Sequence, residues 1–418
     1  MNLRNRKNLS NDEPKQIFYV WNYLEWGGVQ TYFLGLMRGV SRKYSVKTVL
    51  PFGSDKKILA YLKANNVEYD FFEGKLDSSP AVTLIKKIKR RYNDFKTNFL
   101  LARHLSKYDL TDSAVQIDAV PWMSFALLFY LATKTQVFVT LHTALPEISF
   151  LRRMWWKTKL AILNRFESFH LNASNLDVKK SLRSLVNESR CRQIEIIYSS
   201  FNRREIEEIT SSKTNKREVF EKYNLPESKI RVCNVGQFIE RKGCWVLMEA
   251  IEILQKQRDD IFFLWLGTSP LDKQTVEKIE TYHLNGSFRF LSANEIGTRR
   301  ADLLTLWNAA DIFVLPSFEE GLPMALIEAM ALGKPCIASN INAIPEAVKH
   351  LETGILLKPG NAAELARAIE SLAEDSGLRV KLGENARKSV FENFEEKITG
   401  QKMLRLYDAS LRRKSGNN

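Results

Sequence analysis

The sequence predicts an α/β protein with two Rossmann-like domains, each built on a parallel sheet, that face each other across a cleft. Short apolar runs, many of them β-branched, alternate with amphipathic stretches along most of the 418 residues. The polar segment 198–215 interrupts this alternation and separates two similar halves. The chain is 44% hydrophobic, which is enough apolar material for two or three domain cores.

The first half contains four predicted strands with helical stretches between them. These strands are predicted at residues 17–23, 45–51, 113–118 and 135–142. The strand–helix alternation favours a parallel sheet with helices on both faces. We therefore predict an N-terminal Rossmann-like domain over residues 1–205, joined by a C-terminal helix at 395–418.

The second half repeats the pattern with five predicted strands. They are predicted at residues 229–236, 261–267, 288–291, 311–316 and 335–339. We predict a second Rossmann-like domain over residues 206–394. Two such sheets in succession predict a cleft between the domains.

Cysteine usage and hydropathy indicate a cytoplasmic protein. The four cysteines have no C-x-x-C spacing, so we expect buried thiols in a reducing compartment. The first 16 residues are polar and lack the apolar region of a secretory signal. The longest apolar run, 120–132, is shorter than the roughly 20 residues that a membrane-spanning helix needs.

The net charge of +14 lies entirely in the first half. Residues 1–200 hold 31 Lys and Arg against 17 Asp and Glu, whereas residues 201–418 hold 31 of each kind. This asymmetry predicts an anionic partner: a lipid surface, nucleic acid or a phosphorylated acceptor. No recognised nucleic-acid-binding module is present, so we expect no nucleic-acid partner.

Two basic stretches in this half, 84–105 and 150–163, also carry apolar and aromatic residues. Helices of this composition are typical of a membrane interface, where aromatic side chains insert and cations meet anionic headgroups. The alternative is a pair of ordinary helices, with the Trp155–Trp156 pair in the core and the charges in solvent. We favour a protein that is peripheral at the inner face of the membrane.

The stretch FEEGLPMALIEAM, residues 318–330, follows a predicted strand and opens a helix near Pro323. Unpaired N–H groups at a helix start can bind a phosphate. Glu320 precedes the helix and Glu328 lies inside it, about 12 Å away if the intervening chain is helical. This spacing suits the sugar and the ribose on the two sides of a diphosphate. The alternative is that Glu320 is a solvated loop acid.

These residues belong to a longer pattern, DIFVLPSFEEGLPMALIEAMALGKPCIAS, which is followed by IPEAV and TGILLKPG. In this order the pattern resembles the retaining glycosyltransferases of the family-4 type (glycosyltransferases group 1). The resemblance covers most of residues 229–390 and implies the GT-B fold. It further implies that the second domain binds a nucleotide-sugar donor and the first domain binds the acceptor.

The resemblance implies a role for each acid. Glu328 matches the residue that binds ribose hydroxyls, and Glu320 matches the residue that contacts the donor sugar. Backbone N–H groups of residues 321–324 would hold the sugar and the distal phosphate. In NVGQFIERKGCW (234–245), Lys242 matches a lysine on the diphosphate, whereas Gln237 stands where the family has an arginine. We hypothesise that Arg241 supplies the missing charge.

Two places in the first half extend the resemblance. Gly27 and Gly28 match a glycine-rich turn after the first strand, for which a plain tight turn is the alternative. His142 matches a histidine that faces the donor sugar, for which a satisfied loop histidine is the alternative. The predicted catalytic residues are His142, Lys242 and Glu320. The predicted donor-binding residues are Gly27, Gly28, Gly236, Gln237, Arg241, Lys242, Gly321, Leu322, Pro323, Met324 and Glu328.

The resemblance predicts transfer of a sugar from a nucleoside-diphosphate sugar to a glycan or lipid-linked acceptor, in polysaccharide or lipopolysaccharide biosynthesis. We expect no cofactor and no metal, because no Asp-x-Asp motif occurs in the sequence. A GT-B-like nucleotide-sugar epimerase is one alternative. A catalytically inactive glycosyltransferase-like protein is another, because Gln237 cannot provide positive charge to the leaving group.

Overall fold

A computed structural model describes residues 15–22, 24, 28–74, 83–212, 216–227, 229–297 and 299–415. The first half forms a six-stranded parallel sheet with strands β1 (Gln16–Val20), β2 (Ser45–Pro51), β3 (Glu68–Phe72), β4 (Ala114–Ile117), β5 (Gln136–Leu141) and β6 (Phe169–Ala173). Their order in the sheet is β3-β2-β1-β4-β5-β6. The helices of this half are α1 (Gly28–Val40), α2 (Lys56–Ala64), α3 (Leu84–Leu105), α4 (Phe125–Ala132), α5 (Phe150–Leu163), α6 (Leu176–Leu182) and α7 (Glu188–Gln193).

The second half forms another six-stranded parallel sheet with strands β7 (Ile230–Val235), β8 (Ile261–Gly267), β9 (Phe288–Ser292), β10 (Ile312–Leu315), β11 (Cys336–Ser339) and β12 (Ile355–Leu357). Their order is β12-β11-β10-β7-β8-β9. The helices are α8 (Arg203–Ser211), α9 (Lys216–Lys222), α10 (Cys244–Gln255), α11 (Lys273–Glu280), α12 (Ala293–Ile296), α13 (Arg300–Asn308), α14 (Met324–Ala331), α15 (Ile344–Ala347), α16 (Ala362–Glu374), α17 (Ser376–Asn393) and α18 (Glu396–Ser415). The predicted α/β class with two parallel sheets is confirmed.

Each sheet is buried on both faces, as parallel sheets are. In β1, Phe18 and Val20 join the core on one face, while Ile17 and Tyr19 join the core on the other. In β7, Cys233 and Val232 divide in the same way. Both faces therefore need apolar side chains, and the strands read as continuous apolar runs. All four cysteines are buried and free, as expected.

The predicted strands correspond to nine of these twelve, with ends within three residues. Three further strands were not predicted: β3, β6 and β12. The sequence of β3, EYDFF, is half polar because it lies at a sheet edge and is only partly buried. The sequence of β6, FHLNA, carries a histidine and an asparagine, and β12 has only three residues.

The polar segment 198–215 is not simply irregular, because it contains α8. This helix is capped by Asn202, whose side chain accepts a hydrogen bond from the Glu205 N–H at 3.2 Å. Two ion pairs at i,i+4 spacing stabilise its exposed face, and its only buried residue is Ile206. A helix with so little apolar surface gives a weak periodic signal.

The last helix returns to the first half of the molecule. Helix α18 packs against α1 so closely that an ideal Cβ on Gly39 would lie 2.7 Å from the Cα of Gly400. Lys43 of the first half also pairs with Asp408 of α18 at 2.6 Å. The division of the chain between residues 205 and 206 stays a prediction.

Candidate active site

Two side chains predicted as catalytic meet at the carboxyl edge of the second sheet. Lys242 follows β7 and Glu320 follows β10, and these strands are neighbours at the point where the strand order reverses. Open α/β sheets bind ligands at this position. The Lys242 Nζ atom lies 2.6 Å from Glu320 Oε1, and the two side chains are only 17% and 6% exposed.

Lys242 is positioned by a short 3-10 turn over Glu240–Lys242, which ends at Gly243. Gly243 has a φ of 72°, and an ideal Cβ there would lie 2.0 Å from the carbonyl oxygen of Pro316. Only glycine permits this conformation and this close approach. The turn after β7 is thus packed directly against the loop after β10, and this contact fixes the distance between Lys242 and Glu320.

Glu320 is held by two further bonds. The Ser317 hydroxyl donates to Glu320 Oε1 at 2.8 Å, and the Glu320 N–H donates to Asn342 Oδ1 at 3.3 Å. Within the described part of the chain, Glu320 Oε2 accepts no hydrogen bond. An ammonium group has three N–H donors, of which Glu320 takes one from Lys242. The pair therefore keeps both donor and acceptor capacity for a ligand.

His142 follows β5 at the carboxyl edge of the first sheet. Its ring packs edge-on against Tyr32, with 4.8 Å between the ring centroids. The Nε2 atom is buried and has no hydrogen-bond partner among the described residues. Burial lowers the pKa of His142 to about 4, so the imidazole is neutral at pH 7. An unpaired buried nitrogen costs free energy that a ligand hydroxyl would recover.

The two sheet edges meet at this point. An ideal Cβ on Gly321 would lie 2.9 Å from the carbonyl oxygen of His142, so the loop after β10 touches the end of β5. Glu346 extends the contact: its carboxylate accepts hydrogen bonds from the N–H groups of Leu176 at 2.7 Å and Asp177 at 3.0 Å. The Tyr198 hydroxyl donates to the same carboxylate at 3.0 Å.

The second predicted acid has a different partner. Glu328 is buried on α14 and forms an ion pair with Arg300 at the start of α13. Arg300 also donates to Glu205 at 2.7 Å. Burial raises the pKa of Glu328, and the neighbouring Arg300 opposes that rise. The structure therefore places the two acids of the motif in two separate ion pairs.

The helix of the motif begins one residue later than the proline. Pro323 is the N-cap of α14 and not its first helical residue, and Met324 is the first. The reason is that Pro323 has a ψ of 122°, outside the helical range. Leu322 is buried in the core of the second half. The predicted start near Pro323 is thus confirmed to within one residue.

The remaining predicted residues are Gly27, Gly28, Gly236, Gln237 and Arg241. An ideal Cβ on Gly236 would lie 4.0 Å from Lys242 Cε, and Gln237 is exposed beside it. The Arg241 guanidinium donates to the carbonyl oxygen of Glu319 at 2.9 Å, so it is committed to the loop after β10. Gly28 opens α1, and Gly27 lies outside the described residues.

Several residues of this region escaped the sequence-based prediction: Ser317, Asn342, Glu346, Arg300 and Glu205. The IPEAV motif contains Glu346, but nothing in the motif indicates that its carboxylate reaches across to α6. Arg300 opens α13 in a stretch of unremarkable basic residues. Except for Ser317, which lies three residues before Glu320, they act through contacts between segments that are far apart in sequence, so no local signal identifies them.

These features define a class of protein: two parallel-sheet domains of the GT-B type, with a charged site where their carboxyl edges meet. Solved structures share this fold. A glycosyltransferase from Rickettsia africae superimposes with a TM-score of 0.74 at 19% identity, covering 95% of this chain and 99% of that one. Anabaena HepE in complex with UDP gives a TM-score of 0.73 at 16% identity, covering 94% and 100%.

Sequence comparisons support the resemblance in the second half of the chain. Residues 215–389 match the model of the family "Glycosyl transferases group 1", which confirms the resemblance over this part of the chain. An N,N'-diacetylbacillosaminyl-diphospho-undecaprenol alpha-1,3-N-acetylgalactosaminyltransferase from Campylobacter jejuni is 30% identical over 195 residues, or 47% of this chain and 49% of the relative. N-acetyl-alpha-D-glucosaminyl L-malate synthase from Bacillus anthracis is 27% identical over 61% of this chain and 65% of that protein. The chain thus spans between about half and two thirds of these curated relatives.

Proposed function

We propose that this protein transfers a sugar from a nucleoside-diphosphate sugar to a hydroxyl group of a glycan or lipid-linked acceptor, with retention of anomeric configuration. The observation that carries the proposal is the buried Lys242–Glu320 pair at the strand-order reversal of the second sheet, opposite the unpaired nitrogen of His142. The relatives support it, because they include enzymes of capsular polysaccharide and colanic acid biosynthesis. We accordingly propose a role in polysaccharide or lipopolysaccharide synthesis.

Lys242 stabilises the leaving group. Cleavage of the anomeric C–O bond sends its electron pair to the diphosphate, which gains negative charge in the transition state. The two N–H donors of Lys242 that Glu320 does not use can bind diphosphate oxygens. Free N–H groups at the start of α14 add positive potential at the same edge. Both are fixed before the reaction, which is what makes such stabilisation effective.

Glu320 and His142 orient the sugar from opposite sides of the cleft. Glu320 Oε2 is an acceptor for a sugar hydroxyl. The His142 imidazole is neutral, because burial lowers its pKa to about 4, so it binds a hydroxyl without adding charge. The Gly321–His142 contact brings these two groups to the same part of the cleft. Holding the sugar between them contributes orientation to the reaction.

Retention follows from attack on the face that the diphosphate leaves. The acceptor oxygen forms the new bond to the anomeric carbon, and its proton passes to the departing phosphate oxygen. No protein base is needed in this step, and the neutral His142 is too weak a base at its pKa to serve as one.

Glu328 binds the ribose in this proposal. One of its carboxylate oxygens is engaged by Arg300, and the other remains available for ribose hydroxyls. Arg300 opposes the rise in the Glu328 pKa that burial causes, and it orients the carboxylate. We propose that catalysis is independent of metal, and undiminished transfer in excess EDTA would support this.

We also propose that the protein associates with an anionic membrane surface through α3 and α5. The two tryptophans of α5 differ: Trp156 stacks on Trp122 with 4.3 Å between ring centroids, whereas Trp155 is 60% exposed. An exposed tryptophan on a basic helix suits a membrane interface. Across the described segments, no helix combines the length and apolar character needed to cross a bilayer.

A thermal-shift panel of UDP-, GDP- and ADP-sugars tests the donor site. A donor that binds the folded protein raises its melting temperature by mass action. The donor that gives the largest shift is then incubated with the protein, alone and with acceptor, and the sugar products are followed by NMR. The proposal predicts an α-linked product from an α-linked donor. Release of a free C2 epimer without acceptor would instead identify an epimerase, and the absence of any shift would contradict the proposal.

A further inference from the structure

A large groove lies on the first half of the molecule, over the short helix α4. Helix α4 has 8 residues, whereas its neighbours α3 and α5 have 22 and 14. At 1.5 Å per residue these helices are about 12, 33 and 21 Å long, so α4 cannot fill the space between its neighbours. We call this space, with a volume of about 1360 Å³, the α3–α5 groove. It is bounded by residues 87–106, 118–130 and 152–159.

The interior of the groove carries large apolar side chains that are open to solvent. Phe95 and Phe99, one turn apart on α3, are 65% and 60% exposed. Met123 and Trp155, from the other walls, are each 60% exposed. Clustered apolar side chains of this kind mark a binding surface, because covering them removes apolar area from water.

The rim of the groove is basic. Among the described residues, six cationic side chains line the groove, together with the carboxylates of Asp94 and Asp118. These cations are Lys87, Arg90, Arg91, Arg103, Arg152 and Lys159. Lys159 illustrates the arrangement: its ammonium group donates to the Trp122 carbonyl at 2.9 Å and lies 5.1 Å from the ring of Trp155. Such a rim selects ligands that combine an anion with an apolar body.

One end of the groove reaches the cleft. Asp118 directly follows β4, which is the neighbour of β1 at the strand-order reversal of the first sheet. His142 follows β5, the next strand in the same sheet, so both residues lie at the carboxyl edge that faces the donor site. A molecule in the groove can therefore present its polar end to the sugar.

The apolar surface continues beyond the groove at the N-terminal ends of α3 and α5. Leu84 and Ile85 are 73% and 68% exposed, and Phe150 and Leu151 are 73% and 79% exposed. Both helix ends lie at the carboxyl edge of the first sheet, because both helices follow strands of that parallel sheet. An apolar chain that enters the groove from a bilayer would thus meet apolar contacts along its path.

We infer that the α3–α5 groove binds the lipid-phosphate part of the acceptor, with the phosphate at the basic rim and the hydrocarbon chain against Phe95, Phe99 and Trp155. This inference rests on the proposed function and assigns the acceptor to the class of membrane lipids that carry a phosphate-linked glycan. A glycan without lipid would leave the aromatic interior uncovered. An acidic polypeptide or nucleic acid would meet the cations but not the apolar floor.

Isothermal titration of the full chain with farnesyl phosphate tests the inference. We expect binding by the wild type, at least tenfold weaker binding by Phe99→Ala combined with Trp155→Ala, and a similar loss in Arg152→Ala, which lies in the first turn of α5. Tyr92→Ala and Lys96→Ala are matched controls, because they change exposed residues of α3 that do not line the groove. We expect these controls to stay within twofold of the wild type.

Two further ligands identify what the groove recognises. Farnesol, which lacks the phosphate, and inorganic phosphate, which lacks the chain, should each bind at least tenfold more weakly than farnesyl phosphate. Equal loss in the control and groove variants would overturn the inference. So would binding to phosphatidylglycerol vesicles without binding to farnesyl phosphate, since that would identify a bilayer-contact surface only.

The donor thermal shift keeps this test separate from the proposed function. Groove variants should retain the wild-type shift with the nucleotide-sugar, because the groove lies outside the second sheet. If the wild type binds farnesyl phosphate but shows no donor shift, the proposed function is contradicted, whereas lipid binding by the groove still holds. A donor shift without farnesyl phosphate binding would overturn the groove inference alone.

Discussion

The carboxyl edges of the two sheets differ in whether their polar side chains have partners within the chain. At the second edge, Lys242 forms an ion pair with Glu320, and Arg300 forms one with Glu328. At the first edge, the Nε2 atom of His142 has no hydrogen-bond partner among the described residues. Burial alone raises the pKa of Asp118 to about 7.

This difference indicates that the two edges have different roles in binding the substrate. A charge-balanced edge can receive a diphosphate with its cation already in place, so little reorganisation accompanies the reaction. The unpaired nitrogen of His142 gains a hydrogen bond when a ligand hydroxyl, such as one of a sugar, arrives. In the proposed function, Lys242 of the second edge stabilises the leaving group, and His142 of the first edge binds a sugar hydroxyl.

We expect the largest effect on activity from Lys242→Ala. Removing the cation takes away the stabilisation of the leaving diphosphate, and we expect kcat to fall by about 100- to 1000-fold. Lys273→Ala is the matched control, since Lys273 lies in the same half and is 90% exposed. Steady-state transfer assays and circular dichroism on both variants would check the prediction. A Lys242→Ala enzyme within threefold of the wild type would contradict it.

The neutral imidazole of His142 predicts that the free energy of unfolding depends on pH. The pKa of His142 is lowered from 6.5 to about 4 on folding, so the unfolded chain binds more protons between these values. Stability therefore falls as the pH decreases from about 6.5 to 4, by an amount on the order of 3 kcal/mol. Urea unfolding of the wild type and His142→Gln across this range would measure the effect. Parallel pH profiles for the two proteins would show that His142 is not buried in its neutral form.

Glu328→Gln tests whether Glu328 has a role beyond its ion pair with Arg300. Ribose binding is equally strong before and during the reaction, so we expect about a tenfold rise in the donor KM with a smaller change in kcat. Glu205→Gln provides the control, because it removes the other acid that Arg300 contacts and leaves Glu328 in place. Similar kinetics for the two variants would indicate that both acids act only through Arg300.

The contact between the edges is tested by Gly321→Ala. The new Cβ would lie 2.9 Å from the His142 carbonyl, so the edges must shift by a few tenths of an ångström. We expect about a fivefold loss of kcat/KM, because a small misplacement of the sugar weakens the reaction geometry. Gly377→Ala, in the first turn of α17, should leave kcat/KM unchanged. Full activity in Gly321→Ala would show that the two edges are not in productive contact in this arrangement.

The same comparison shows what the sequence could reveal. Lys242, Glu320 and Glu328 could be singled out because they lie in motifs, around a strand, a tight turn and a helix start, that resemble those of a known family; their roles stay predictions. The partners of these residues could not be predicted. Arg300 reaches Glu328 only after folding, and Glu346 bonds to α6, some 170 residues earlier in the chain.

The first edge was predicted less completely for a physical reason. Helices α3 and α5 were visible as basic and apolar stretches, but the groove arises from the shortness of α4 between them. Asp118 carries no motif, and its position follows from the strand order of the sheet. Strand β6, which precedes the Glu346 contact on α6, was missed because its polar residues hide the strand pattern.

A crystal structure of the protein with the nucleotide-sugar that gives the largest thermal shift would test the central claim most directly. The account predicts a diphosphate oxygen within about 3 Å of Lys242 Nζ, with the Lys242–Glu320 bond retained. It also predicts that the sugar lies between Glu320 and His142. A diphosphate bound away from Lys242, with both carboxylates turned out of the cleft, would contradict the account.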